Sequence, residues 1–321
     1  MARARRLALI AAAATLAVGT LAAAGCGDDD SSANTTGGNS AGLSGNITID
    51  GSSTVAPLTS AAAEAFNAEN SDVDITVGTS GTGGGFELFC KGETDISDAS
   101  RAIKDEEAAA CKSGGVTYEE FRVASDGITL VTGIDADVGG DDLTLAQLKA
   151  IWAPDSKIDN WSAIPIAGTF NDVPLTLAGP DSQSGTYDFF NEEVIGTNAA
   201  GDVIESRQDY SASADDNVTV RAVQSAEGGL GYFGYTYFEE NTDTLKDFSV
   251  DGVKPTAATI TDGSYPLSRP LFIYVSTASL AKAEVKAFVK YYLENATALS
   301  DEQQFVPAPQ KALDEGLRRL G

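Results

Sequence analysis

Apolar positions recur along the chain in two periods, and the periods take turns. Ile47 and Ile49 alternate with polar residues in NITID, as a short strand does, and GSST follows. Val55, Leu58, Ala62 and Phe66 then fall at helical spacing. Thr54 suits the N-cap of that helix, and Pro57 is tolerated in its first turn. DVDITV, residues 72–77, puts Val73, Ile75 and Val77 on one face of a half-buried strand. It runs into GTSGTGGG, residues 78–85, and the apolar FELF. Further on, PLTLAGP (174–180) leads through DSQSGT into the helical pattern YDFFNEEVI. Strands alternating with helices predict an α/β architecture with mainly parallel sheets.

Two apolar strands bounded by Gly, Pro and Asp read as crossings between lobes: DGITLVTG (126–133) and RPLFIYV (269–275). The second returns the chain to a last helix, Leu280 to Leu293, with Val285, Phe288, Val289 and Tyr292 on one face. Two crossings divide the chain into a discontinuous first lobe, residues 46–128 and 265–321, and an inserted second lobe, 129–264. A ligand cleft between the lobes follows.

Residues 1–25 have the form of a secretion signal. Arg3, Arg5 and Arg6 form a positive start, Leu7 to Leu21 is apolar, and small residues lead to Cys26. Ala23-Ala24-Gly25-Cys26 resembles a bacterial lipobox, in which Cys26 takes the lipid and becomes the new N-terminus. Residues 26–45 are polar and rich in Gly and Ser, and read as a flexible tether to a membrane. Export leaves Cys90 and Cys111, which suggest one disulfide; the alternative is two buried thiols.

The net charge of the 321 residues is −26, and losing the three signal arginines makes it −29. Such a surface repels nucleic acid. Histidine is absent, which removes Ser-His-Asp and Cys-His catalysis and His-ligated metal sites. GTGGGF (81–86) is not the dinucleotide fingerprint, because its sixth residue is Phe86. A lone SxxK, Ser279 to Lys282, has no KTG to accompany it, and Ser279 fits an N-cap of the last helix. No cofactor and no catalytic residue is expected.

Three strand-to-helix turns carry similar donors: Ser52-Ser53-Thr54, Ser80-Gly81-Thr82-Gly83 and Ser184-Gly185-Thr186. A helix start exposes unpaired N–H groups and carries about half a positive charge. Hydroxyls add donors, and glycine lets an oxyanion approach the backbone. Three such ends converging on one cleft make a tetrahedral-anion site even in so acidic a chain. Each alone is more often a structural cap. Arg101 is the candidate fixed charge, with a fork that fits two anion oxygens; its bland alternative is a surface salt bridge.

Taken in order, several stretches resemble the phosphate-binding component of bacterial ABC phosphate importers, the PstS type. They are DGSSTVAP (50–57), GTSGTGGGFELFCKGETDISDASR (78–101), ASDGITLV (124–131), LTLAQLKAIW (143–152), GPDSQSGTYDFF (179–190), DYSASADDN (209–217), GGLGYFGYTYF (228–238) and YPLSRPLFIYV (265–275). The resemblance implies a two-lobe periplasmic-binding-protein fold (type II), with inorganic phosphate held between hinged lobes and delivered to an ABC permease. It assigns phosphate binding to Ser53, Thr54 and Val55 (the last through its N–H), Thr82 and Gly83, Ser184, Gly185 and Thr186, and Arg101. Arg101 falls where many relatives carry arginine and others an aspartate that accepts the phosphate proton. Relatives with the aspartate often have an arginine where this chain has Pro180, which leaves the proton acceptor open. Arg101→Ala is expected to weaken binding strongly and Thr186→Val moderately.

The expected protein is thus a lipid-anchored monomeric receptor on the outer face of the cytoplasmic membrane. The competing readings are a receptor for sulfate or molybdate, a surface or adhesion protein on the same fold, and an exported phosphate-ester hydrolase. The last lacks a metal cluster or an activated nucleophile in the sequence.

Overall fold

The computed structural model describes residues 42–165, 170–200 and 202–321. The expected signal, Cys26 and most of the expected tether lie outside the described residues. No helix among the described residues is long and apolar enough to cross a membrane.

The first part of the chain winds β1 (Gly45–Gly51), α1 (Ala56–Glu69), β2 (Val73–Val77), α2 (Gly81–Cys90), β3 (Ile96–Ala99) and α3 (Asp105–Ser113). The sixteen-residue strand β4 (Tyr118–Gly133) leads on to β5 (Asp142–Leu143) and α4 (Leu145–Trp152). Then come β6 (Thr176–Gly179), α5 (Gly185–Phe190), β7 (Ser211–Ala212), α6 (Asp216–Ser225), β8 (Gly229–Gly234) and α7 (Tyr235–Glu239). The chain continues through β9 (Leu245–Asp247), β10 (Ser249–Val250), α8 (Ala257–Asp262) and β11 (Ser268–Ser276). It finishes with α9 (Ala283–Glu302), β12 (Val306–Pro307) and α10 (Gln310–Leu320).

Helix α1 buries the Leu58, Ala62 and Phe66 stripe read from its spacing. Its N-cap is Val55, one residue later than expected, because the Thr54 hydroxyl is engaged elsewhere. The helix expected at 280–293 begins at Ala283, runs on to Glu302, and is followed by α10. Ser279 does not cap it. The Ser279 hydroxyl donates to Asp95 Oδ1 at 2.6 Å, and Lys282 occupies the N-cap. That bond ties the loop after β11 to the residue before β3.

Strand order is β2-β1-β3-β11-β4-β8-β6-β7, with β12 and β9 also paired to β4. Parallel pairs sit at the two ends, β1 with β2 and β3, and β6 with β7 and β8. The middle is antiparallel, so the expectation of mainly parallel sheets is corrected. The cause is the crossings: a strand that enters the other lobe and one that returns run in opposite directions. Strand β4 pairs with β11 through Gly127 and with β8 and β9 from Ile128 onward.

One apolar core gathers Ile128, Trp152, Trp161, Phe190, Tyr232, Tyr265 and Leu267. A second gathers Ile47, Leu58, Phe121, Ile273, Phe288 and Tyr292. A small third one, Phe86, Phe89, Cys90, Cys111 and Tyr274, packs α2 and α3 on the sheet. Cys90 and Cys111 form the disulfide. Separate cores on one sheet-linked frame fit the two-lobe architecture expected from the sequence.

Candidate anion-binding site

A cavity of about 300 Å³ lies where α1, α2 and the loop after β3 face α5 and the residues that follow it. The first side supplies Ser52, Ser53 and Thr54, Gly81 to Gly83, Ser100, Arg101 and Lys104; Arg269 comes from β11. The second side supplies Asp188, Glu192 and Val203.

Each piece is placed by local chemistry. The Ser52 N–H donates to the Asp98 carbonyl at 2.9 Å, which pins the first turn to β3. The N–H and hydroxyl of Ser80 both donate to Asp50 Oδ1, at 2.9 and 2.7 Å. Gly81 then turns the chain with a φ of 82°, a region that disfavours side chains, and α2 begins. Thr82 Oγ1 accepts from the Ser100 N–H at 3.2 Å and lies 3.1 Å from the Ser100 hydroxyl.

Arg269 is the central cation. It is buried, yet its strand sequence gives no sign of a partner. Nε and Nη2 donate to Asp126 Oδ2 at 3.3 and 3.2 Å. Nη2 also donates to Thr54 Oγ1 at 2.8 Å and to the Gly185 carbonyl at 3.3 Å. The guanidinium stacks 3.9 Å above the Phe189 ring, a cation–π contact. One side chain thus touches the starts of α1 and α5 together. Burial pushes the Asp126 carboxyl above its ordinary value, only partly countered by Arg269. Nη1 of Arg269 makes no hydrogen bond to a described residue, which leaves two N–H donors for a ligand.

Arg101 behaves differently. Nη1 and Nη2 donate to Glu107 Oε2 and Oε1, both at 2.8 Å, and Nη1 also reaches the Ala102 carbonyl at 3.2 Å. The fork expected to clamp the anion is turned to Glu107. One N–H of Nη2 and that of Nε stay open on the cavity side, beside Gly83.

The sequence-derived residues divide accordingly. Ser53, Thr54, Thr82, Gly83 and Arg101 line the cavity. Val55 is fully buried behind it. Ser184, Gly185 and Thr186 form the start of α5 but do not line it. Ser184 Oγ accepts from the Thr186 N–H at 3.2 Å, a cap turned on its own helix. Gly185 has another reason to be glycine: a Cβ there would sit 2.6 Å from Thr54 Oγ1.

The reading from sequence missed Arg269, Lys104, Asp188 and Glu192. Asp188 and Glu192 stand four residues apart across the cavity from the arginines. Burial raises Asp188, with Arg269 opposing. These carboxylates can accept a hydrogen bond from a protonated oxyanion and repel one without a proton. Among the described residues no His, Cys, Asp and Glu cluster could hold a metal.

Residues 34–296 match the model of the PBP superfamily domain. The chain is 43% identical to the protein SphX of Synechococcus elongatus over 282 residues, 85% of this chain and 81% of that one. It is 40% identical to the phosphate-binding protein PstS of Staphylococcus saprophyticus, over 86% of this chain and 84% of that one. This chain is a PstS-type member of the PBP superfamily. A crystal structure described as "a possible phosphate binding protein from Planctomyces limnophilus DSM 3776" superposes on this PstS-type chain with a TM-score of 0.80. Identity there is 43%, over 87% of this chain and 98% of that one.

Proposed function

We propose that the protein captures inorganic phosphate in the cavity between its lobes and delivers it to the permease of an ABC importer. The observation that carries this reading is the cavity itself. Its first side presents hydroxyls and helix-start N–H groups, and it is lined by Arg101 and Arg269, each with N–H donors that no described residue takes. Such a site holds a tetrahedral anion by directed hydrogen bonds rather than by net charge. Charge-assisted hydrogen bonds contribute about 1.5–3 kcal/mol each, and a micromolar site needs about 8 kcal/mol net.

The binding set is Ser53, Thr54, Thr82, Gly83, Arg101 and Arg269. The N–H of Val55, from the same turn as Ser53 and Thr54, and the Ser184, Gly185 and Thr186 turn opposite it complete the set. Residues 46–128 with 265–321 move as one lobe and 129–264 as the other; the separate cores support two lobes, with Ile128, Tyr265 and Leu267 at the crossings packing in the core of the second. The protein acts as a solute receptor without catalysis. It works as a monomer, held to the outer face of the membrane by lipid on Cys26.

Calorimetric titration of anion-stripped protein with phosphate and then sulfate tests the reading. Tight phosphate binding with little response to sulfate is expected. Equal binding of both makes it a general oxyanion receptor, and binding of neither removes the receptor reading.

A further inference from the structure

Arg101 sits on the loop between β3 and α3, two residues past the end of its strand, and its side chain is about one-quarter exposed. A long side chain on such a loop has many rotamers, yet this one aims at Gly83. Three contacts hold it. At the start of α2, Thr82 Oγ1 takes the Ser100 N–H and fixes the residue before Arg101. At the start of α3, Glu107 takes both Nη atoms, while the same Oε2 accepts the Lys104 N–H at 2.8 Å and so is fixed to the helix. At the far ends of the two helices, the Cys90–Cys111 disulfide joins α2 to α3. Cys90 Sγ lies 3.4 Å from the Glu107 carbonyl oxygen, so the covalent link is in van der Waals contact with the backbone of the residue that grips Arg101.

We propose that Glu107 and the Cys90–Cys111 disulfide are positioning groups for anion binding, a truss that keeps Arg101 at the rim of the cavity. This rests on the phosphate reading. The truss is closed: α2 carries the glycine turn at one end and Cys90 at the other, and α3 carries Glu107 and Cys111. Opening the disulfide frees α3 to shift on α2 and takes Glu107, and with it Arg101, away from Gly83. Affinity therefore depends on the oxidised state of a bond buried well behind the ligand.

The test is a double-mutant cycle read by phosphate calorimetry on the intact protein. Cys90→Ala with Cys111→Ala, and separately Glu107→Gln, should each weaken phosphate binding by about twofold to fivefold, no more than the loss of Arg101 itself. In an Arg101→Ala background neither should weaken it further, because both act through that side chain. Melting temperature should fall with the cysteine substitutions in both backgrounds alike. Wild-type affinity in both Glu107→Gln and the double-alanine protein overturns the inference. So does an equal further loss in the Arg101→Ala background, which would mean a general loosening of the lobe. Glu107→Gln keeps the disulfide and carries the test if the double-alanine protein does not fold. Failure of the oxidised wild type to bind phosphate at all removes the phosphate reading, and it shows in the first titration before any variant is compared.

Discussion

Arg269 and Arg101 line the same cavity, each with a carboxylate at hydrogen-bond distance, yet their surroundings make them different devices. The Arg269–Asp126 pair is buried, with side chains 10% and 6% exposed. The Arg101–Glu107 pair is only partly buried, at 27% and 16%. Burial cuts both ways. It keeps water and salt from weakening the donors that Arg269 offers a ligand, but it makes each partner dependent on the other. Solvent lets Arg101 move, which is why that arm needs a carboxylate and a braced helix to hold its aim. An arginine walled in by Phe189, Thr54 and Gly185 needs no brace.

Arg269→Ala is the sharpest way to break the comparison. Phosphate affinity should fall about 100-fold, the loss of one or two charge-assisted hydrogen bonds. Stability should fall with it by about 3–5 kcal/mol, since Asp126 is left buried without its cation. Arg269→Lys should recover part of the stability and little of the affinity, because an ammonium cannot reach Asp126, Thr54 and Gly185 together. Denaturant titration and calorimetry read the two losses. Near wild-type affinity in Arg269→Ala would return the central role to Arg101.

Gly185→Ala comes next. The added methyl meets Thr54 Oγ1 at 2.6 Å, so the start of α5 must back away from α1, and the Gly185 carbonyl leaves Arg269. A loss of about tenfold in phosphate affinity is expected, with stability changed by less than in Arg269→Ala. Unchanged affinity would show that α1 and α5 need not touch when the anion is bound.

The contrast between the arginines also marks what the sequence makes legible. The buried face of α1 follows from one period, because helical spacing alone decides which residues turn inward. Thr82, Gly83 and Arg101 come from turns whose donors face a common side, and they do meet. Arg269 was hidden because its partner Asp126 lies 143 residues away, and strand periodicity carries no information about a tertiary pair. A lone arginine in the apolar RPLFIYV segment was the available signal. The Ser184 cap was ambiguous for a local reason: the same hydroxyl can face its own helix or a ligand, and here it faces the helix. The antiparallel centre of the sheet follows from strand directions that periodicity does not encode.

Arg101→Ala should cost less than either substitution above, about fivefold in phosphate affinity, since its fork already serves Glu107. The contribution should shrink as salt rises from about 0.05 to about 0.5 M, while that of Arg269 holds better, because the partly buried pair is screened more than the buried one over such a range. Titrations of both variants at the two salt concentrations check this. Equal salt sensitivity would place the two arginines in the same dielectric surroundings.

Asp98 supplies the missing member of the comparison, a buried carboxylate with no arginine, and the smallest expected effect on binding. It is fully buried on β3 beside Thr59 and Tyr292, which lie 3.0 Å apart in a hydrogen bond, and neither Asp98 oxygen makes a well-formed hydrogen bond. Burial lifts its pKa to about 8, with the nearby Thr59 hydroxyl opposing this and Asp50 adding to it. Folded protein then holds a proton that the unfolded chain, titrating near 3.8, releases. Between those values the folded state binds more protons, so stability falls as pH rises from about 4 to about 8 and levels off above. Asp98→Asn removes the titration. Its melting temperature relative to wild type should rise steadily across that window and stay constant beyond it, with phosphate affinity at neutral pH unchanged, because only the Asp98 carbonyl supports the Ser52 turn. A difference in melting temperature that stays flat from pH 4 to pH 8 would mean that Asp98 is already ionised and has found a cation, as Asp126 and Glu107 have.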